Sequence, residues 1–323
     1  MSNIKAPFPW FGGKSRVAAE VWARFGDVPN YVEPFAGSLA VLLGRPSIHR
    51  GKIETVNDID GFIANFWRAV ASDPEGVAHN ADWPVNENDV HARHIWLVNQ
   101  RAHLEARLNG DPDFYDAKIA GWWAWGANAY IGSGWCSGDG PWRVVDGLLH
   151  LGDAGQGINK KIPHLGDAGQ GARHAFILGW FEQLSKRLRD VRVASGDWSR
   201  VVTESVTTRH GMTGLLLDPP YGDEVEQTRV YATDDSDVSA QVRQWCIENG
   251  NNRLLRIALC GYQGEGHDAL LDYGWTSHAW RAAGGYGAGR GGNGEANRHK
   301  ERIYFSPACL AGDEGLFDMG GTA

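Results

Sequence analysis

The stretch NYVEPFAGSLAVLLG, residues 30–44, predicts a short strand, a tight turn and a helix in succession. The stretch IETVND at 53–58 predicts a second strand, and a helix is expected from Ile59 to Ala71. Before the first strand, Ser15 is a candidate N-cap for a helix that Gly26 would end. Strands that alternate with helices in this way indicate the parallel, doubly wound sheet of an α/β fold.

The same alternation returns after about residue 175. A helix there carries its apolar side chains on one face, at Ile177, Trp180, Phe181, Leu184 and Leu188. The elements expected after it are strands at 191–197, 214–218 and 253–260, a helix at 236–249, and closing antiparallel edge strands at 275–280 and 302–307. The second half of the chain is therefore expected to complete the sheet that the first half begins.

The middle of the chain, residues 76–174, breaks this pattern. It contains five tryptophans among glycines, at Trp122, Trp123, Trp125, Trp135 and Trp142. The sequence HLGDAGQG occurs at 150–157 and again at 164–171, and two copies are too few for a solenoid. We interpret the repeat as a duplication in a loop, with a nucleic-acid contact loop as the alternative. The chain is thus predicted to form one discontinuous α/β domain, residues 1–75 and 175–323, with an inserted domain at 76–174.

The composition excludes several classes of protein. Of the 323 residues, 42% are hydrophobic and 22% charged, which suits a soluble globular protein and not a disordered chain, a collagen-like fibre or a coiled coil. No apolar run approaches the roughly 18 residues of a membrane span, and we expect no secretory signal. The four cysteines are scattered, so we expect a reducing cytoplasm with neither disulfides nor structural zinc.

The net charge of −8 argues against binding of nucleic acid through bulk charge. A local basic region nevertheless lies between residues 158 and 192, where seven Lys and Arg residues stand against three acidic ones. This excess suffices for several phosphate contacts. The glycine-rich segment at 284–294 is interpreted as a connecting loop, with a loop near DNA as the alternative.

The tetrapeptide Asp218-Pro219-Pro220-Tyr221 follows directly after the apolar strand 214–217. Ligands of open α/β sheets bind beyond the carboxyl ends of the strands, so this tetrapeptide is placed for chemistry. The two prolines remove N–H donors and leave the Asp218 carboxylate and the main-chain carbonyls as acceptors. Acceptors beside the ring of Tyr221 suit an amino group on a planar base. A turn that only ends the strand is the alternative.

With its motifs in this order, the sequence resembles the Dam-like (D12 class) DNA adenine-N6 methyltransferases, in which DPPY is the catalytic motif. The matching motifs are PWFGGK at 9–14, EPFAGS at 33–38, NDID at 57–60, GDW at 196–198, DPPY at 218–221 and KERIY at 300–304. As in that family, the cofactor motifs come first, an insert follows and DPPY comes last. The resemblance covers about residues 1–75 and 190–305. It implies a Rossmann-like α/β sheet, discontinuous in sequence, with an inserted target-recognition domain.

The resemblance also implies S-adenosylmethionine as cofactor, S-adenosylhomocysteine as product and no metal. It assigns catalysis to Asp218, Pro219, Pro220 and Tyr221. The cofactor-binding residues that it implies are Trp10, Gly12, Lys14, Glu33, Phe35, Gly37, Asp58, Asp197 and Asp218. The chain departs from the family where a second glycine often follows two residues after the first. Leu39 stands there, which leaves weaker cofactor binding open.

Elementary chemistry supports several of these roles. Gly37 would let the main chain approach the cofactor, and Asp58 at the end of a strand would accept both ribose hydroxyls. Asp197 would accept from the adenine amino group, and Lys14 would lie near the methionine carboxylate or the active-site backbone. The alternatives are a helix N-cap for Asp58, a loop aspartate for Asp197 and a solvated lysine for Lys14.

The expected activity is methylation of adenine N6 at a specific site in double-stranded DNA. Asp218 and the Pro219 carbonyl would hold the amino group for direct in-line transfer. The target base would flip out of the duplex and stack on Tyr221. Cytosine-N4 methylation is the nearest alternative, a catalytically silent DNA-binding module is another, and RNA as substrate is a third.

The family's recognition hairpin corresponds to residues 129–143 of this chain. The candidate DNA-binding residues are Trp135, Arg143, Lys160, Lys161 and Arg173. Packing is the alternative for the tryptophans, and we expect at least three of the five to lie in the core of the insert. We expect a cytoplasmic monomer without membrane contact. The lack of a fused nuclease favours an orphan enzyme, bacterial or phage-borne, and a role in restriction and modification stays open.

Overall fold

The computed structural model describes residues 4–9, 14–46, 52–130, 135–136, 142–145, 148–151, 158, 174–220, 238–280 and 301–311. For 142–145 and 148–151 it describes the backbone alone. The strands are β1 (Asn30–Glu33), β2 (Ile53–Asp58), β3 (Trp142–Val145), β4 (Leu148–Leu151), β5 (Val191–Ser195), β6 (Thr213–Leu217), β7 (Leu255–Tyr262), β8 (Thr276–Ala279) and β9 (Glu301–Phe305). The helices are α1 (Ala18–Phe25), α2 (Ala40–Leu43), α3 (Gly61–Ser72), α4 (Pro74–Ala81), α5 (Glu87–Gly110), α6 (Ala117–Ala129), α7 (His174–Leu188) and α8 (Val238–Asn249).

Seven strands form one sheet in the order β5-β2-β1-β6-β7-β9-β8. The first five in that order are parallel to their neighbours, and β9 runs antiparallel between β7 and β8. The parallel sheet and its antiparallel closing strands are confirmed. This mostly parallel arrangement is consistent with the Rossmann-like sheet that the resemblance implies. The order of the strands in the sheet reverses between β1 and β6, which are direct neighbours.

Helix α1 begins later than the sequence predicts. Lys14–Arg16 form one turn of 3-10 helix, and α1 starts at Ala18 after Val17, so the predicted N-cap at Ser15 is wrong. The predicted end at Gly26 is confirmed, because Gly26 has a φ of 62° and donates its N–H to the carbonyl of Trp22. The early 3-10 turn matters for function, since it is the turn that carries Lys14.

Helix α7 packs with the face that its periodicity predicts. Ile177, Phe181, Leu184 and Leu188 are buried in the main core. Trp180 is only half-buried, and its indole N–H donates to the carbonyl of Lys5 at 3.0 Å. A helix with one apolar stripe is stabilised mainly by this burial.

The three helices α4, α5 and α6 were not predicted from the sequence. Each begins after a side chain that caps it, Asp73, Asn86 and Asp116 respectively. The four fully apolar residues that α5 buries are Val90, Leu97, Leu104 and Leu108. Only about one apolar side chain is buried in every two turns, so the apolar stripe of α5 is narrow and its sequence is mostly polar. The three caps were the signals that could have located these helices.

The helices after residue 76 share their core with the sheet. The ring of Phe8 lies 4.8 Å from that of Trp123 in α6, and Phe66 of α3 lies 5.8 Å from the same ring. Trp123 and Trp125 are buried, while Trp122 and Trp135 pack against the same cluster. The side chain of Trp142 lies outside the described residues. The boundary predicted at residue 76 stays a prediction, and the packing is continuous across it.

No helix in the described part of the chain is long and apolar enough to cross a membrane.

Candidate active site

The strand order reverses between β1 and β6, and the carboxyl ends of the parallel strands carry most of the predicted site residues. Glu33 ends β1, Asp58 ends β2, Asp197 follows β5 and Asp218 follows β6. In open α/β sheets, ligands bind in the crevice at such a switch point. The topology therefore gathers four acidic residues, distant in sequence, along one edge of the sheet.

Lys14 forms a buried ion pair at this edge. Its ammonium nitrogen lies 2.9 Å from Oδ2 of Asp218, and its side chain is only 6% exposed. Burial by itself lowers the pKa of Lys14, but Asp218, Cys260 and Glu301 outweigh that effect and raise the pKa above its ordinary value. The solvated-lysine alternative is therefore wrong: Lys14 is a buried cation, paired with the aspartate of the DPPY motif.

Glu33 is a buried carboxyl group behind this pair. The hydroxyl of Tyr31 donates to Oε2 of Glu33 at 2.9 Å. Burial raises the pKa of Glu33 to about 8; the hydrogen bond from Tyr31 opposes this rise, and the nearby Asp218 and Asp58 add to it. A carboxyl group with so high a pKa gains free energy from any donor or cation that binds beside it.

Asp58 is held by backbone N–H groups. Its two carboxylate oxygens accept from Gly37 at 3.0 Å and from Asp60 at 2.9 Å. Burial raises its pKa to about 7, which the bond from Gly37 opposes. The helix N-cap of α3 is Asp60, which accepts from Phe62, and not Asp58. The capping alternative for Asp58 is therefore wrong, and the ribose contact stays a prediction.

The turn after β1 has a left-handed backbone at two positions. Gly37 has a φ of 44°, and its carbonyl accepts from the indole N–H of Trp67 at 2.9 Å. Leu39 has a φ of 53°, a conformation that favours glycine, yet its side chain is fully buried. The departure at Leu39 therefore keeps the backbone shape that a glycine would have, and its side chain packs into the core.

An aromatic wall flanks the same edge. The rings of Phe35 and Trp198 stack with centroids 6.2 Å apart and an interplanar angle of 26°. Asp197 is exposed, and its carboxylate accepts from the N–H and the hydroxyl of Ser199. Asp197 thus caps the short turn Trp198–Val201, as its loop alternative predicts, and its adenine contact stays a prediction.

Two residues beside this wall were not singled out from the sequence. The Asn57 amide donates to the carbonyls of Pro34 at 3.0 Å and Gly196 at 2.8 Å, so it ties together the loops after β1 and β5. Ile59 is 47% exposed directly after Asp58, which is unusual for a large apolar side chain at a strand end. Only the strand order, which sequence does not give, reveals that these side chains belong to the site.

Several predicted site residues lie outside the described part of the chain. They are Trp10, Gly12, Tyr221, Lys160, Lys161 and Arg173. Pro219 is buried and Pro220 half-buried directly after Asp218. Arg143 lies in β3, paired with His150 of β4, and its side chain is outside the described residues.

Trp135 packs against α6. Its indole N–H donates to the carbonyl of Trp123 at 3.0 Å, and a Cβ at Gly126 would overlap its ring. The ring also lies 5.3 Å from that of His94. These contacts account for much of this half-buried side chain, and a DNA contact by Trp135 stays a prediction.

Within the described ranges, no cluster of His, Cys, Asp and Glu side chains has the arrangement of a metal site.

Residues 10–116, about a third of the chain, match the family model of the D12 class N6 adenine-specific DNA methyltransferases. A search of curated proteins gives no match. Similarity to this family implies S-adenosylmethionine as cofactor and DNA as substrate. Over residues 10–116 the chain is therefore similar to the D12 class N6 adenine-specific DNA methyltransferases, and this similarity indicates an adenine-specific DNA methyltransferase enzyme.

Proposed function

We propose that this enzyme methylates adenine N6 at a specific site in double-stranded DNA, with Asp218 as the group that holds the target amine. The observation that carries this proposal is the 2.9 Å ion pair between Lys14 and Asp218 at the carboxyl end of β6. It favours an ionised carboxylate at the position where the fold binds ligands. An ionised carboxylate only accepts hydrogen bonds, which suits the NH₂ group of a base.

The two residues after Asp218 reinforce this preference for acceptors. Pro219 and Pro220 carry no N–H, so the segment offers carbonyl oxygens and no backbone donors. Two accepted hydrogen bonds would localise the lone pair of the amine on nitrogen, which otherwise is delocalised into the ring. The paired cation favours Asp218 as an oriented acceptor over Asp218 as a general base.

The acceptors along the sheet edge suit S-adenosylmethionine. Its ribose hydroxyls and ammonium group are donors, and Asp58 and Glu33 accept from them in their ionised forms, which a bound ammonium group favours against the burial that raises their pKa values. Phe35, which stacks on the buried Trp198, and the exposed Ile59 supply apolar surface for a purine ring. When bound, this cofactor would supply an activated methyl group: its S–CH₃ bond would break as the N–CH₃ bond forms, S-adenosylhomocysteine would leave, and the amine would release one proton to solvent.

Base flipping completes the proposal on the DNA side. An amino group inside a duplex cannot reach the sheet edge, so the adenine leaves the stack at a cost of a few kcal/mol. Stacking on Tyr221 returns about 1–3 kcal/mol. Residues 76–174 serve as the target-recognition domain, with Trp135, Arg143, Lys160, Lys161 and Arg173 as its DNA contacts.

The setting of the enzyme is part of the proposal. Cys136, Cys246, Cys260 and Cys309 are free thiols, which supports a reducing cytoplasm. We take the active species to be a monomer. The biological role, as an orphan enzyme or in restriction and modification, follows from the target site once that is known.

Nucleoside mass spectrometry tests the proposal. Unmethylated duplex DNA is incubated with the full chain and methyl-labelled S-adenosylmethionine, and sequencing of the product locates the site. Labelled N6-methyladenine at one short sequence is the expected result. Labelled N4-methylcytosine would show that the target base is cytosine, methylated at the same active site, and would overturn the proposal for adenine. DNA that is bound without methyl transfer would favour the silent DNA-binding module and overturn the proposed activity.

A further inference from the structure

A second candidate site lies among α4, α5 and α6, away from the carboxyl edge of the sheet. A cavity of about 720 Å³ opens there, within the usual range for small-molecule sites. The side chains that line it include Trp83, Arg93, Trp96 and Trp122, with Asp82 and Asp89 at its wall. None of these residues belongs to the site described above.

Arg93 is the unusual member of this cavity. It is 7% exposed, and in the described part of the chain its Nη1 atom has no hydrogen-bond partner. Its guanidinium carbon lies 4.3 Å from the ring of Trp125, 4.7 Å from that of Trp122 and 5.3 Å from that of Trp83. Three indole rings thus surround the cation.

Ring faces only partly replace a counter-ion. Burying a guanidinium is costly unless a charge or hydrogen-bond acceptor meets it, and cation–π contacts return part of that cost. Burial accordingly lowers the pKa of Arg93 to about 10, although Asp89 acts to raise it. Asp89 is already engaged, since its Oδ2 accepts from the indole N–H of Trp83 at 2.7 Å. An anion that entered the cavity would supply the acceptor that Nη1 of Arg93 lacks.

The rest of the lining suits a planar base attached to that anion. Trp83 is 45% exposed, and Trp96 and Trp122 are half-buried, with their rings 5.1 Å apart. The ammonium group of Lys118 lies over the rings of Trp96 and Trp122, at 4.5 Å and 4.4 Å. Trp83 therefore offers the exposed indole face, and such a face stacks on a base of any sequence. Asp89 accepts from Trp83 through Oδ2 alone, so its Oδ1 is the acceptor at this wall for the amino group that adenine, guanine and cytosine each carry.

We propose that this cavity is a nucleotide-binding site, in which Arg93 meets the phosphate and Trp83 stacks on the base. The occupant is either a free mononucleotide or one nucleotide of a DNA strand, because both present the same phosphate and base. The site does not depend on methyl transfer, so Asp218→Asn is expected to leave it intact.

Calorimetric titration of the full chain with AMP tests the proposal, in saturating S-adenosylhomocysteine so that the candidate cofactor site is filled. We expect one AMP site, bound at least tenfold more weakly by Arg93→Met and about fivefold more weakly by Trp83→Leu. Arg107→Met is the matched control. It lies on the same helix, with its guanidinium 4.3 Å from the ring of Phe114, and outside the cavity lining.

Further ligands separate the possible occupants. Adenosine is expected to bind at least tenfold more weakly than AMP, since it lacks the phosphate. A four-nucleotide single strand that binds more tightly than AMP, and depends on Arg93, identifies a DNA strand as the occupant; AMP alone identifies a free nucleotide. Equal AMP affinity of the wild type and Arg93→Met, or tighter binding of tetramethylammonium than of AMP, would overturn the proposal. Melting curves confirm that each variant is folded.

Discussion

Two buried cations of this enzyme have opposite surroundings. Lys14, at the carboxyl edge of the sheet, meets the carboxylate of Asp218 at 2.9 Å. Arg93, among α4–α6, meets three indole rings, and its Nη1 has no hydrogen-bond partner in the described part of the chain. A paired buried charge is a completed arrangement, whereas an unpaired one is stabilised by what binds next to it. Lys14 therefore holds the acceptor Asp218 in place, whereas we expect Arg93 to bind an anion.

The largest effect is expected from breaking the paired cation. Lys14→Met leaves Asp218 without its cation, and Asp218→Ala leaves Lys14 without its carboxylate. Each is expected to lower the free energy of unfolding by about 3 kcal/mol, because a buried charge is left uncompensated. The double variant is expected to recover most of this loss, and urea unfolding of all four proteins measures it. Strictly additive losses would show that the pair is not coupled.

Substitutions of Leu39 test the backbone of the turn after β1, because we expect an unusual order of stability among the variants. Leu39→Ala loses the buried side chain and keeps the left-handed backbone, whereas Leu39→Gly relieves the backbone as well. We therefore expect the alanine variant to be about 1 kcal/mol less stable than the glycine variant.

Leu42, in helix α2, is the matched control for Leu39. The reverse order is expected there, since glycine is poor in a helix. Thermal unfolding provides the comparison, and the same order at both positions would contradict the role of the backbone at Leu39.

The carboxyl groups of the edge predict a pH dependence. Because the pKa values of Glu33 and Asp58 are raised to about 8 and 7, these groups stabilise the cofactor-free protein at low pH, and this stabilisation is lost as the pH rises through 7–8. Their ionised forms are the better acceptors. We expect S-adenosylmethionine, whose α-ammonium group stays mostly charged up to about pH 7.5, to bind about tenfold more tightly at about pH 7.5 than at about pH 5.5, by calorimetry. Glu33→Gln should flatten the part of the profile above pH 7; an unchanged profile would remove Glu33 from the cofactor site.

The smallest effect is expected at the unpaired cation. Arg93→Met removes a buried charge without breaking an ion pair, so the free energy of unfolding should stay the same or rise by about 1 kcal/mol. Arg107→Met, half-exposed on the same helix, should change it by less than about 0.5 kcal/mol. Urea unfolding decides: a loss above about 2 kcal/mol for Arg93→Met would mean that the indole rings fully replace a counter-ion.

The sequence predicted the sheet well because its signals are local. Strand β2 lies at residues 53–58, where the stretch IETVND was predicted as a strand, and Gly26 ends α1 as expected. Helix α5 was missed, since its buried apolar residues are spaced too widely to show a helical face. Ser15 failed as a cap because the chain there forms a 3-10 turn first.

The site was only partly predictable. Motif order identified Asp218, Glu33 and Asp58 as candidates, but the partner of each charge depends on tertiary structure. No local pattern indicates that Lys14 reaches Asp218, or that Gly37 donates to Asp58 while Asp60 caps α3. Arg93 was not predicted at all, because its three tryptophans meet only after α4, α5 and α6 pack together.

The most direct test of the account is single-turnover methyl transfer by Asp218→Asn, with DNA binding measured on the same samples. Asparagine keeps the size of the side chain but replaces one acceptor oxygen with a donor. The account predicts a transfer rate at least about 1,000-fold below that of the wild type, with the affinity for duplex DNA changed by less than about threefold. Transfer within tenfold of the wild-type rate would contradict the role of Asp218 as the acceptor that holds the target amine.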